Sequence, residues 1–382
     1  MLLTGGGSGG HITPVTTIAS EIKNRDNSNQ IIYIGQKNDK LSYILKDNKN
    51  IDSIFFIYAG KFRRYHSEGL KQIFDLATIY KNIRDLFLII IGLFQSYIII
   101  RKCKPDVLFT RGGYISVPVA IAAKLNRVPF ITHDSDSIAS LTNRILAPYA
   151  KYNAVSVDSE EYPYSDLKKI ITGIPISSNF KYVDEKLKNI YRTELNIPIN
   201  SKVILIIGGG LGSVIINESF LNIANKLIND IPEIWIIHIV GLNNFEKMKK
   251  DYLKNVGSLD RIKVFGFIDD VYKYSGAADL IITRAGATNI AEFSTQGKEC
   301  IIVPSPFLTG GHQVKNANYL LKNEAAIILD EKDIVEEEYF YNKIIELMQD
   351  QNLRDKISKN ILKLSNTTAT TKIVDLILSI KK

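Results

Sequence analysis

The sequence predicts an α/β protein made of two Rossmann-like, doubly wound domains facing across a cleft. Three observations carry that expectation. Short apolar runs alternate with helically spaced patterns through most of the chain, as parallel strands joined by helices require. A glycine cluster follows the first apolar run, TGGGSGG at 4–10, and a second, IIGGGLGS at 206–213, follows an apolar run in the second half. The length of 382 residues exceeds what one core usually organises.

The elements follow in order. Leu2, Leu3 and Thr4 form a first strand, and Ile12, Val15, Ile18, Ala19 and Ile22 share one face of the helix after the glycines. Further strands are expected at 30–35, 107–110, 129–133, 202–208, 233–241, 262–268, 280–286 and 300–305. The polar stretch around 155–170 reads as a linker, which places the domains at 1–160 and 161–365. A last helix, within 366–382, returns to the first domain.

The segment IRDLFLIIIGLFQSYIII is the most hydrophobic in the chain. Its uncharged run, Leu86 to Ile100, is shorter than the roughly 20 residues that span a bilayer. It reads as a buried core helix, as a helix partly exposed in a membrane surface, or as both, with one face packed inward and one greasy. In the second case Lys61, Arg63, Arg64, Arg101, Lys102 and Lys104 would stand near anionic phospholipid headgroups. The formal net charge of +8 likewise points to an anionic partner. No zinc-finger spacing, basic heptad or aromatic RNP strand is present, so nucleic acid is not expected. Cys103 and Cys300 form no metal or redox pattern and fit a reducing compartment. The first residues lack a basic stretch followed by an apolar run, so no secretory signal is expected.

Gly5, Gly7 and Gly10 satisfy G-x-G-x-x-G, which suggests a nicotinamide dinucleotide. That reading needs an acidic residue at the end of the second strand to hold the ribose. Gly35-Gln36-Lys37 stands there instead, and the dinucleotide reading falls.

TRAGATNIAEFSTQGKECIIVPSPFLTGGHQVKNANYL, at 283–320, is far less generic. With TGGGSGGHITP, GKFRRYH (60–66), TRGGYIS (110–116), HDSDSIASLTNR (133–144), TGIPIS (172–177), GGGLGSVIIN (208–217) and GFIDD (266–270), it resembles one family almost end to end. This is the MurG family, the N-acetylglucosaminyltransferases of bacterial cell-wall synthesis, which have the two-domain GT-B fold. The resemblance implies inverting transfer of N-acetylglucosamine from UDP to the 4-hydroxyl of the muramoyl sugar of lipid I, giving lipid II. It also implies a peripheral position on the cytoplasmic face of the cell membrane, beside cell-wall or division complex proteins.

By the same match, Ala287, Thr288 and Asn289 would face the donor diphosphate, with Gly209 and Gly210 nearby, since amides at a helix start stabilise the departing charge. Glu292 would accept from the ribose hydroxyls. Phe267 and Ile268 would flank uracil, and His312, Gln313 and Asn316 would bind the sugar. On the acceptor side the resemblance implies that Gly7, Ser8, Gly9, Gly10, Arg111, Gly112, Gly113 and Tyr114 receive the lipid diphosphate. His11 would sit near the reacting centre, as general base or as a hydrogen-bonding binder.

Three positions depart from the family pattern. Where H-E-Q-N is usual this chain has His133-Asp134-Ser135-Asp136, so Asp136 replaces an amide and becomes a second candidate for acceptor binding or the base. Ser177, in the donor set, replaces a usual arginine, and Gly210 a usual serine. Asp134-Ser135-Asp136 also matches D-x-D, a metal motif of another transferase fold. In this architecture no obligatory metal is expected, only Mg²⁺ held loosely by the UDP diphosphate. A UDP-N-acetylglucosamine 2-epimerase, or a non-catalytic UDP- and membrane-binding relative, are the competing readings. Both leave part of the pattern unused.

Overall fold

Seven parallel strands form the first sheet: β1 Leu2–Thr4, β2 Ile32–Gln36, β3 Ser53–Ile57, β4 Leu108–Thr110, β5 Phe130–Asp134, β6 Tyr152–Val155 and β7 Lys169–Ile171. Their order is β3-β2-β1-β4-β5-β6-β7. This computed structural model describes residues 1–6, 9–38, 45, 48–61, 76–308 and 311–381, without the side chains of 9–12, 76, 77 and 79. Helices α1 Gly9–Arg25, α2 Leu76–Cys103, α3 Ser116–Leu125 and α4 Leu141–Leu146 connect these strands.

The second sheet has β8 Lys202–Ile207, β9 Ile234–Ile239, β10 Ile262–Phe265, β11 Leu280–Thr283, β12 Cys300–Ile302 and β13 Ile327–Ile328, in the order β10-β9-β8-β11-β12-β13, again all parallel. Its helices are α5 Glu185–Glu194, α6 Val214–Asp230, α7 Phe245–Val256, α8 Val271–Ala277, α9 Ala287–Gln296, α10 His312–Lys322, α11 Glu331–Val335, α12 Glu337–Gln349 and α13 Gln351–Lys363. The last helix, α14 Ala369–Ser379, belongs to the first unit.

The chain thus divides into Met1–Ser177 with Thr367–Lys382, and Ser178–Asn366. The change of unit falls after Ser177 rather than after residue 160, because β7 pairs with β6 and extends the first sheet. The stretch around 155–170 is accordingly not a free linker: Tyr162 and Tyr164 are buried against Ala147 and Val155. β3, β6, β7 and β13 are additional to the expected strands. β3, β7 and β13 lie at sheet edges, where burial leaves a weaker apolar signature. β6 carries Asn153 in its middle, tolerated because Thr132 donates to its Oδ1 at 2.7 Å.

Central strands such as β8 and β11 are apolar without alternation because helices cover both sheet faces. In the first unit Val15, Ile18 and Ile22 of α1 pack with Ile373, Val374 and Ile377 of α14. Arg25 pairs with Asp375 at 2.6 Å on the rim of that contact.

Helix α2 inverts the usual pattern. Thr78, Asp85, Gly92 and Ser96 face inward, while Tyr80, Ile83, Phe87, Ile90, Phe94 and Ile98 are exposed. Over Tyr80–Cys103 only 22% of the apolar window is buried, so the helix is not a fully buried core helix but packs one face inward and exposes a greasy one. Gly92 is required by close approach: a Cβ there would lie 2.0 Å from the Tyr58 carbonyl oxygen. Gln95 adds a polar tether, its Oε1 accepting from the Tyr58 amide at 2.9 Å.

Candidate functional site

In open α/β sheets, ligands bind beyond the carboxyl ends of the strands where the strand order reverses. In the first sheet that point lies between β1 and β4, and in the second between β8 and β11. Both glycine turns and both R-G-G-Y and R-A-G-A turns lie there, so the topology gathers segments distant in sequence.

In the first unit the chain leaves β1 through Gly5 and Gly6, and the buried Tyr33 hydroxyl donates to the Gly5 carbonyl. Gly7 and Ser8 lie outside the described residues, as do 62–66 of GKFRRYH and the side chain of His11. Gly9, Gly10 and His11 have their backbone in the first turn of α1. The turn after β4 packs tightly on this loop. Gly113 has φ 79°, and a Cβ on it would stand 2.9 Å from the Gly6 carbonyl oxygen. Gly112, in the same turn, donates its N–H to Thr110 Oγ1 at 3.2 Å. Tyr114 donates its hydroxyl to Gln36 Oε1.

Arg111, between them, is only 4% exposed. Burial lowers its guanidinium to about 10, against the attraction of Asp136 and Asp134, so it stays a cation at neutral pH. His133 is held neutral, pushed down to about 3 by burial and then by the charge of Arg111. Its Nε2 donates to the Gly173 carbonyl at 2.8 Å. Asp134 is also buried, and burial raises its carboxyl. One oxygen accepts from the Ser140 amide at 2.9 Å and the other from the Tyr164 hydroxyl. Asp134, at the end of β5, is therefore a local organiser with both oxygens engaged, and Asp136, half-buried in the loop that follows, adds the larger share of the two carboxylates' attraction for Arg111. Among the described residues no three His, Cys, Asp or Glu side chains cluster as metal ligands.

In the second unit β11 runs into Arg284-Ala285-Gly286, and α9 starts at Ala287 without a side-chain cap. Ala287, Thr288 and Asn289 therefore supply the first amides of the helix, the anion-favouring end of its dipole. A Cβ on Gly286 or Gly209 would meet nothing within 4 Å, so open space lies before these amides and beside the β8 turn. Gly210 is exposed next to Gly209. Asn289 Nδ2 donates to Thr283 Oγ1 at 3.3 Å, tying the first turn of the helix to the strand before it.

Glu292 is 7% exposed and has no hydrogen-bond or ion-pair partner among the described residues. Burial alone raises its carboxyl to about 8. The residue is buried but its oxygens are not, so the carboxyl can take the donors of a ligand.

Gln313 and Asn316 lie on the inner face of α10. Gln313 Oε1 accepts from the Ser305 amide at 2.9 Å, and Asn316 Nδ2 donates to the Ala285 carbonyl at 3.1 Å. These bonds hold the loops after β12 and β11 in place. His312 is half-buried at the first position of α10. Phe267 is half-buried and Ile268 is core, both just beyond β10. Two strand spacings, ~10 Å, separate β10 from β8. Ser177 alone of the expected donor residues falls in the first unit, whereas the others share the second.

Sequence reading missed Arg284 as a structural element. Its Nε donates to Ser213 Oγ at 3.0 Å, its Nη1 to the Val303 carbonyl at 3.1 Å, and its Nη2 pairs with Glu331 at 2.6 Å. One guanidinium thus fastens the turns after β8 and β12 and the start of α11. Arg284→Met should destabilise the protein by ~3 kcal/mol, seen as a lower urea midpoint, because a mostly buried Glu331 is left unpaired. An unchanged midpoint would show that these bonds add nothing. Tyr162 and Tyr164 were missed as well, since nothing in a polar stretch marks two tyrosines as buried.

The glycosyltransferase family 28 N-terminal domain matches residues 1–155, and its C-terminal domain residues 203–375. A Finegoldia magna protein, named UDP-N-acetylglucosamine–N-acetylmuramyl-(pentapeptide) pyrophosphoryl-undecaprenol N-acetylglucosamine transferase, is 33% identical, covering 98% of this chain and 96% of its own. The crystal structure of Acinetobacter baumannii MurG shares the fold, with TM-score 0.70 and 24% identity over 99% of this chain and 98% of its own. So does Neisseria meningitidis UDP-GlcNAc 2-epimerase bound to UDP-GlcNAc, with TM-score 0.64 and 14% identity over 99% of each chain.

Proposed function

This chain belongs to glycosyltransferase family 28, and on that premise we propose that its second unit holds UDP-N-acetylglucosamine while its first receives the lipid-linked acceptor. The protein is a UDP-N-acetylglucosamine-dependent hexosyltransferase, moving N-acetylglucosamine to N-acetylmuramyl-(pentapeptide) pyrophosphoryl-undecaprenol. It therefore acts on a substrate anchored in the membrane.

The observation that carries the donor assignment is Glu292: a buried residue whose carboxyl has no partner among the described residues, one turn inside a helix whose uncapped start faces open space. Ribose hydroxyls donate to the Glu292 carboxyl, and the amides of Ala287, Thr288 and Asn289 then meet the diphosphate. Gly209 and Gly210 leave room beside it. A nucleoside can bridge the two strand spacings to Phe267 and the Ile268 backbone, which take uracil. His312, Gln313 and Asn316 take the sugar.

Arg111, Gly112, Gly113 and Tyr114, with the loop Gly7 to Gly10, receive the acceptor diphosphate. Arg111 acts there by its field, since its guanidinium is buried. The acceptor 4-hydroxyl attacks the anomeric carbon, the bond from that carbon to the phosphate oxygen breaks, and UDP leaves with the electron pair. The hydroxyl proton passes to His11 or Asp136, and the anomeric configuration inverts. Charge gathers on the UDP diphosphate during bond breaking, and the α9 amides stabilise it. No metal is obligatory in this scheme, and Mg²⁺ associates only loosely with UDP.

The exposed apolar face of α2 supports a peripheral position on the cytoplasmic face of the membrane, with Lys81, Arg84, Arg101 and Lys102 at anionic headgroups. Proteins of a cell-wall or division complex are the further partners we propose.

Acceptor dependence tests this reading against the epimerase fold neighbours. UDP release from UDP-N-acetylglucosamine should require a short-chain acceptor analogue. Formation of the manno epimer from the nucleotide sugar alone would overturn the reading.

A further inference from the structure

The connection between β6 and β7 carries two buried phenols, Tyr162 and Tyr164, stacked with ring centroids 5.9 Å apart and planes 14° apart. The Tyr162 hydroxyl donates to the Asp136 backbone carbonyl at 2.6 Å and lies 3.2 Å from Ser156 Oγ. The Tyr164 hydroxyl donates to Asp134 Oδ2. Asn143, in α4, donates its Nδ2 to the carbonyl of His133 at the end of β5, at 2.9 Å. The backbone of 133–136 is thereby fixed at both ends, and Tyr162 engages the main chain of Asp136 and not its carboxylate.

We propose that Tyr162 is a positioning residue for the transfer reaction, its hydroxyl setting the Asp136 carboxylate beside the buried Arg111. This rests on the acceptor-side role given to Asp136 above. Phenylalanine would fill the cluster of Ala147, Val155 and Tyr164 equally well, and a buried hydroxyl adds little net stability even when satisfied. What the hydroxyl contributes is the place of one carbonyl, and with it the direction of one side chain. Asp136 stands in a loop rather than in a strand or helix.

A double-mutant cycle on the full chain tests this, using Tyr162→Phe, Asp136→Asn and the two combined, with UDP-N-acetylglucosamine and a short-chain acceptor analogue. Tyr162→Phe should lower kcat about tenfold, leave KM for the nucleotide sugar within about twofold, and lower the thermal midpoint by only a few degrees. In the Asp136→Asn background it should cost nothing further. Asp136→Glu replaces the amide variant where turnover is too low to subdivide. An unchanged kcat in Tyr162→Phe overturns the proposal, as does a full tenfold loss in the Asp136→Asn background. Undiminished turnover in Asp136→Asn would instead remove the role of Asp136 itself, whatever Tyr162→Phe does.

Discussion

Glu292→Ala should lower kcat/KM for UDP-N-acetylglucosamine by about two orders of magnitude, ~2.7 kcal/mol, the scale of losing both hydrogen bonds from the ribose hydroxyls. The loss should appear mainly in KM, because ribose contacts are made in ground and transition states alike. Glu292→Gln keeps one acceptor oxygen and should fall between. The same residue makes a stability prediction with a definite sign. Its carboxyl titrates near 8 in the fold, against an ordinary 4.5, so between those values the native state binds more protons than the unfolded one. Stability therefore falls as pH rises through that window, and Glu292→Gln is free of the penalty. Chemical denaturation at pH 5 and pH 8 should show the Gln variant gaining ~2–4 kcal/mol on the parent over that range. A constant difference would mean that Glu292 is not held in an unfavourable site.

Phe87→Asp combined with Phe94→Asp should abolish binding to anionic vesicles and cut turnover of membrane-embedded acceptor at least tenfold. Turnover of a water-soluble acceptor analogue should stay as in the parent. These rings are 62% and 67% exposed, so their loss leaves the core intact. Burying each in a bilayer interface is worth up to ~3 kcal/mol, whereas a basic residue near the surface adds ~1 kcal/mol. The apolar stripe should therefore dominate, and reversing Arg101 and Lys102 to glutamate should weaken binding less. Vesicle binding that survives the double aspartate variant would place the membrane contact elsewhere.

Much of the fold could be read directly from the sequence, because a parallel sheet covered on both faces makes its central strands continuously apolar. β1, β8, β9 and β11 were found this way. β13, two residues long at an edge, gave no such signal, nor did β6, whose buried Asn153 finds its partners in Thr132 on the neighbouring strand and the Ala147 carbonyl. The glycine turns were legible as turns, but that they lie at the strand-order reversals depended on pairings such as β1 with β4, across about a hundred residues.

The site was legible by type more than by environment. Glu292 could be named from its spacing after R-A-G-A, yet its lack of a partner is a property of the packed structure. Of Asp134 and Asp136, the sequence singled out only Asp136, as the carboxylate that stands in place of an amide. The fold separates them, because Ser140 and Tyr164 occupy both oxygens of the first. Gln313 and Asn316 read as sugar ligands, and the structure adds that each also pins a loop from the neighbouring strand. Helix α2 showed its hydrophobicity plainly. Only burial revealed that its small and polar residues turn inward and its aromatic ones outward.

The central claim is tested most directly by transfer of labelled N-acetylglucosamine from UDP to a short-chain lipid I analogue, with the product isolated and its anomeric configuration read by NMR. The account predicts a disaccharide with a β-linked N-acetylglucosamine on the muramoyl sugar, and UDP released in equal amount. Intact UDP binding with no disaccharide formed would contradict it.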